Sequence, residues 1–166
     1  MASLIELLAS SQGLKSNEAN TTLAKEIAST DNKDAVSELI THLKDKDKKI
    51  KSDCIKTLYE IGYRNPGLIA EYYQEFLDLL NHTNNRMIWG AMIALSTITD
   101  LKPREIFESL DRIMETIRKG SVITVDGGVD ILSKLNRYRE FFHTTDPLLM
   151  EQLWNCPIKQ LPLYTE

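Results

Sequence analysis

Cysteine is scarce here. Only Cys54 and Cys156 occur in 166 residues, far apart and with no CxxC pair or His/Cys cluster around either, so no disulfide framework or zinc site is expected. Cys54 is expected to be a small buried core residue, since a free thiol packs as a compact hydrophobe. Long apolar runs are missing as well, and nothing approaches the ~20 residues a membrane-spanning helix needs. The start, MASLIELLASSQG, has no basic stretch, and Glu6 interrupts its apolar residues, which argues against a secretory signal. The cytoplasm is therefore the expected compartment. Excess positive charge is absent too: the formal charge is -4 and the pI about 5.5, so broad attraction to polyphosphate is not expected.

What is present is the balance of a folded globular chain, 42% hydrophobic and 27% charged, with a periodic pattern. Shifting the sequence by 37 residues places Val36, Leu39, Ile40 and Leu43 on Tyr73, Phe76, Leu77 and Leu80, then on Leu110, Ile113, Met114 and Ile117. Each set is an i, i+3, i+4, i+7 stripe, which is one buried face of an α-helix. These A helices are expected over residues 34–45, 67–82 and 104–119, with Pro66 and Pro103 near the first turn, where a missing N–H matters little. The same shift carries Ile55, Leu58 and Ile61 onto Met92, Leu95 and Ile98, and then onto Val129, Leu132 and Leu135, defining three B helices.

Two further columns follow the period. Cys54, Ala91 and Gly128 are all small, as close helix approach requires. Asp47, Asn84 and Ser121 share a side-chain oxygen able to cap the helix that follows. Both ends are degenerate, as terminal repeats are. Leu4, Ile5 and Leu8 with Ala19 and Leu23 fit a leading pair at a shift nearer 35. Asp146 is expected to cap a short helix with Pro147 at its first position, placing Met150 and Trp154 on the A stripe. The two prolines of CPIKQLPLYTE imply an extended tail. The expected organisation is one helical domain, 1–155, comprising a leading pair (1–31), three repeats (34–63, 66–100 and 103–137) and a half-repeat (146–155), then a tail, 156–166.

A two-helix unit of 37 residues is too long for tetratricopeptide or ankyrin repeats and near the HEAT length. The segment LITHLKDKDKKIKSDCIKTLYEIG resembles the HEAT pattern through Leu39 and Leu43, Asp47, Ile50 with Lys51, Cys54 and Leu58. The resemblance implies an all-α fold, an α-α superhelix of HEAT or armadillo type. It departs at one place: the basic Lys51 becomes Ile88 and Val125 in later units. An Asp-to-Arg ladder between repeats is thus not expected, and repeats should meet mainly through apolar contacts.

In such solenoids the B helices line a concave surface used for partners. Removing the core stripe leaves Ser52, Lys56, Tyr59 and Tyr63 in the first unit, Trp89, Ile93, Ser96 and Asp100 in the second, and Asp126, Asp130, Ser133 and Arg137 in the third. Trp89 and Ile93 stand where the neighbouring units are polar, and an aromatic beside an aliphatic is the usual composition of an interaction hot spot. Trp89 is either that anchor or a side chain packed under a neighbouring helix or the tail. Tyr59 and Tyr63 either flank the same groove or are amphipathic residues with wet hydroxyls.

Other motifs read as structural. KDKDKKIK, residues 44–51, carries five lysines but also two aspartates, and is expected to be a solvated inter-helix turn rather than a phosphate-binding patch. TVDGGV, residues 124–129, falls inside the third B helix, where Gly127 and Gly128 each cost about 1 kcal/mol against alanine and could kink it. His42, His82 and His143 lie on unrelated elements with no paired carboxylate at ligand spacing, so no metal is expected. Asp126 and Asp130 lie one turn apart, as on a solvated face. No catalytic constellation or cofactor site is recognised.

The leading expectation is a non-enzymatic module that binds a protein or peptide through Trp89, Ile93, Tyr59, Tyr63 and Lys56, without membrane or nucleic-acid partners. Two alternatives remain. HEAT-like solenoids include DNA glycosylases, whose concave tryptophan, aspartate and arginine Trp89, Asp126 and Arg137 resemble. The chain could also stack end to end with copies of itself or within a larger solenoid.

Overall fold

Why the chain breaks into helices where it does follows from its caps and stripes. The computed structural model describes residues 3–166, with ten α-helices, short 3₁₀ turns and no strand among the described residues. The helices are α1 (Glu18–Ser29), α2 (Lys33–Thr41), α3 (Lys48–Arg64), α4 (Tyr73–Leu79), α5 (Asn85–Ile98), α6 (Pro103–Glu108), α7 (Leu110–Lys119), α8 (Val122–Asn136), α9 (Phe142–Asn155) and α10 (Leu161–Thr165). Every B-stripe residue is buried, from Ile55 on α3 to Leu135 on α8, and of the A stripes only Ile40 and Tyr73 keep partial exposure. The helices α1, α3, α5, α8 and α9 form a row in which each packs on the next, while α2, α4 and α7 cover α3, α5 and α8 respectively.

Glycine sets the spacing of that row. A Cβ on Gly90 of α5 would lie 2.7 Å from Ile55 Cγ1 of α3, and one on Gly127 of α8 would lie 2.8 Å from Met92 Cγ of α5. Both members of each pair advance by 37 residues, so one contact is built twice. Gly128 meets its own covering helix instead: a Cβ there would stand 2.4 Å from both Ile117 Cδ1 and Cγ1. Neither glycine kinks α8, which runs unbroken from Val122 to Asn136. Cys54 is fully buried, and burial first, with Asp53 beside it, pushes its thiol up to about 12, so it stays protonated.

Two of the three capping residues act as expected. The Asp47 carboxylate accepts from Lys49 N at 2.7 Å and Asn84 Oδ1 from Arg86 N at 2.9 Å. Ser121 is the N-cap of α8 but makes no cap bond; its hydroxyl meets the Thr124 hydroxyl at 3.3 Å. The A helices are shorter than their stripes. Residues 66–68 and 70–72 form 3₁₀ turns before α4, the first of them holding Gly67, a poor helix former. The third A helix is divided at Ser109, whose hydroxyl donates to Glu105 O at 3.1 Å, a back-bond that loosens helices. KDKDKKIK is only half a turn segment, because Lys48–Lys51 already form the first turn of α3.

The ends depart most. The leading A helix is reduced to a 3₁₀ turn, Leu4–Leu7, with Leu8 buried; Met1 and Ala2 of the expected pair lie outside the described residues. Asp146 does not cap α9, which starts a turn earlier and holds Pro147 inside it. That start is fixed by Phe141, stacked on Phe107 with ring centroids 4.2 Å apart, and by Thr145, whose hydroxyl is 2.8 Å from Asn136 Oδ1. Met150 and Trp154 consequently face solvent, Trp154 at 82% exposure, while Leu148 and Leu149 pack on the core. The tail is not extended either. It forms a 3₁₀ turn, Ile158–Gln160, and α10, and returns to α8 through Tyr164, whose hydroxyl donates to Asp126 at 2.7 Å.

From α3 to α5 and from α5 to α8 the core contacts are mainly apolar, as the loss of the basic column suggests, and Ile88 and Val125 are partly buried. Exposed ion pairs nonetheless link successive units at other registers, including Arg137 with Asp100 at 2.9 Å and Arg104 with Glu140 at 3.2 Å. Such pairs contribute little, about 0–1 kcal/mol each.

Alanine at Gly128 is expected to destabilise the chain by about 1–3 kcal/mol, because the β-branched Ile117 cannot yield cheaply and the helix-propensity gain is only about 1 kcal/mol. Gly67→Ala, whose nearest neighbour is Asn65 Oδ1 at 3.5 Å, is expected to change stability by less than about 0.5 kcal/mol. Urea unfolding midpoints of the two variants decide it: equal midpoints contradict the packing role.

Candidate functional site

The residues expected on the B-helix face come together between α3 and α5. A four-residue step along α3 stacks Lys56, Glu60 and Arg64 along one side and carries Tyr59 to Tyr63 on another. Tyr59 is buried and Tyr63 is 62% exposed, with their rings edge to face at 6.1 Å. Trp89 comes from the first turns of α5 and lies with its ring centroid 6.1 Å from that of Tyr59. Trp89 and Ile93 are half-buried against the core, so Trp89 is packed on the neighbouring helix while keeping an exposed edge. The tail docks on Asp126 of α8.

A small cleft of about 150 Å³ opens beside the pair, lined by Lys56, Tyr59, Trp89, Arg86, Ser52 and Asn17, among others. Lys56 Nζ sits 4.7 Å above the Tyr59 ring centre and 2.5 Å from Glu60 Oε1. Burial alone would lower the Lys56 ammonium, but its bonds to Glu60 and Tyr59 outweigh it and hold the group above its ordinary value. Burial likewise would raise the Glu60 carboxyl, yet bonds from Lys56 and from Arg64 Nη1, 2.6 Å away, hold it below. The Tyr63 phenol is raised, chiefly by partial burial and then by Tyr59 and Glu60. Lys56 and Arg64 thus both pair with Glu60 beside an aromatic surface.

The third unit's polar residues do not join this cluster. Asp126 accepts from Tyr164, Asp130 pairs with Lys134 at 2.8 Å, and Arg137 holds Asp100 through both oxygens at 2.9 Å. Asp126 and Arg137 are also eleven positions apart on α8, about 16 Å along its axis at 1.5 Å per residue, so with Trp89 they form no convergent catalytic trio. Of the histidines, His42 does have a carboxylate partner, Asp45, at 2.9 Å, contrary to the expectation from spacing. His82 accepts from Asn84 N through Nδ1, and burial with Lys51 nearby holds it below its ordinary value. No group of three His, Cys, Asp or Glu side chains among the described residues is arranged to hold a metal. No helix among them is long and apolar enough to cross a membrane.

A buried polar joint escaped the sequence reading. Asp53 lies 37 residues before Gly90, where the row elsewhere has glycine, and it faces α1. Its Oδ1 accepts from Asn20 Nδ2 at 2.8 Å and its Oδ2 from Ser10 N at 2.7 Å, while Asn20 Oδ1 accepts from Ala9 N at 2.9 Å. Comparison of the chain with protein-family models, curated proteins and solved structures found no match among any of them.

Glu60 offers a test with a definite sign. Its folded-state pKa lies below the ordinary 4.5, so its contribution is present above that value and lost as pH falls through the lowered one. Glu60→Gln is expected to reduce stability by about 1 kcal/mol at neutral pH and by progressively less as the pH falls below 4.5, measured by urea unfolding across that range. A deficit that does not change with pH contradicts the ion-pair account.

Proposed function

We propose that the chain is a short α-α superhelix of HEAT type and a non-enzymatic interaction module that takes a protein or peptide segment along the α3–α5 face. The observation that carries this reading is the Tyr59–Trp89 pair, with Tyr63 exposed beside it and a cleft at its edge. Aromatic side chains supported by a rigid neighbour supply contact area at little entropic loss, which is why they dominate binding hot spots. Two features support the superhelical architecture: the stripes repeat every 37 residues with their apolar members buried, and the B helices form a row.

Selection of peptides from a displayed random library, followed by affinity measurement on wild type and Trp89→Ala, tests the assignment. The variant is expected to keep its helical circular dichroism and to bind the selected peptides about 30-fold more weakly, the loss of a hot-spot side chain worth about 2 kcal/mol. Equal affinity for a folded variant rules the groove out.

A further inference from the structure

Where α1, α3 and α5 begin, their N-terminal ends surround a cavity of about 680 Å³. Its wall carries Lys15, Lys48, Lys49 and Arg86, and none of the four has a carboxylate within 4.0 Å among the described residues. The acid in the same wall, Asp53, has both oxygens engaged by Asn20 and Ser10 N. Four unpaired cations around one cavity are a local reversal of sign in a chain of net charge -4. The helix ends add little, since Asp47 caps α3, Asn84 caps α5 and Ser16 Oγ accepts from Glu18 N at the start of α1.

The cavity is continuous with the aromatic cleft, because Asn17, Ser52, Asp53 and Arg86 line both.

We propose that this cavity receives the phosphate group of a phosphorylated peptide whose neighbouring apolar residue rests on Trp89 and Tyr59; this deepens, and rests on, the peptide-groove reading above. A phosphate monoester brings ≈ −1.5 to −2 charge and three acceptor oxygens, which matches a wall of lysine and arginine donors. A nucleic-acid strand fits less well. Its charge recurs along its whole length, whereas the positive wall is short and beyond it Glu60 and Asp130 are each paired with cations of their own helix, leaving no continuous basic track.

The test uses a degenerate peptide library with phosphoserine or phosphothreonine fixed at its centre, the unphosphorylated library, inorganic phosphate and a single-stranded oligonucleotide. Each is titrated against wild type, Lys49→Glu with Arg86→Glu, and Trp89→Ala, all checked for an unchanged thermal transition; Lys49 and Arg86 are exposed, so their reversal leaves the core intact. Phosphorylated members should bind at least about tenfold tighter than their unphosphorylated counterparts. The double charge reversal should remove that ratio, while Trp89→Ala should weaken both kinds alike. A ratio near one in wild type, with binding still sensitive to Trp89→Ala, overturns the phosphate pocket and leaves the groove standing. Binding of inorganic phosphate without either peptide overturns the proposal together with the groove. Tighter, Arg86-dependent binding of the oligonucleotide overturns it in favour of a nucleic-acid ligand.

Discussion

The contact of Gly90 with Ile55, repeated by Gly127 with Met92, sets how closely three long helices approach, and most of the molecule is arranged around that spacing. A Cβ at either glycine would penetrate the neighbouring side chain, so α3, α5 and α8 stand at distances only a bare backbone permits. Close approach lets the apolar residues on both flanks of each helix be buried, first by the next helix in the row and then by α2, α4 or α7. It also brings Trp89 onto Tyr59, since the first turns of α5 are drawn against the middle of α3. The candidate site is thus a by-product of the spacing of the row.

At the front of the row the contact changes in kind. Asp53 occupies the glycine register, and α1 is held by a carboxylate, Asn20 and two backbone N–H groups. A buried, fully engaged polar joint is directional where an apolar one is not, so it fixes the loop between the leading turn and α1 in one position. That loop forms one wall of the cationic cavity, and the joint accordingly links the packing of the first helix to the shape of the proposed phosphate site.

The period, the B-helix stripes and two of the three capping residues were legible in the sequence because each recurs at one register and rests on short-range geometry. Trp89, Tyr59, Tyr63 and Lys56 were legible as a cluster for the same reason: three- and four-residue steps relate Lys56, Tyr59 and Tyr63 on α3, and the 37-residue shift places Trp89 at the register of Ser52, one turn before Lys56. The losses have physical causes. The Gly90 and Gly127 column was hidden because its first member is Asp53, and no single-chain pattern equates aspartate with glycine. Pro147 suggested a helix start, but stacking of Phe141 on Phe107, a contact between distant residues, begins α9 earlier and turns Trp154 outward. The tail's prolines argued for extension, yet Tyr164 finds Asp126, and burial, with that bond, pushes its phenol well above the ordinary range. Lys48 and Lys49 are exposed as expected of a solvated segment but lie in the first turn of α3, and the cavity they share with Lys15 and Arg86 is assembled from three segments distant in sequence.

If the row of helices carries the stability of the chain, protection should follow position in the row. Native-state hydrogen exchange reads this residue by residue, because amides in the most supported element open only with the whole molecule. The amides of α5, flanked by α3 and α8 and covered by α4, should exchange slowest, with α3 and α8 next and α1, α9 and α10 progressively faster. Protection in α5 no greater than that in α10, or a maximum at either end of the row, would contradict the account.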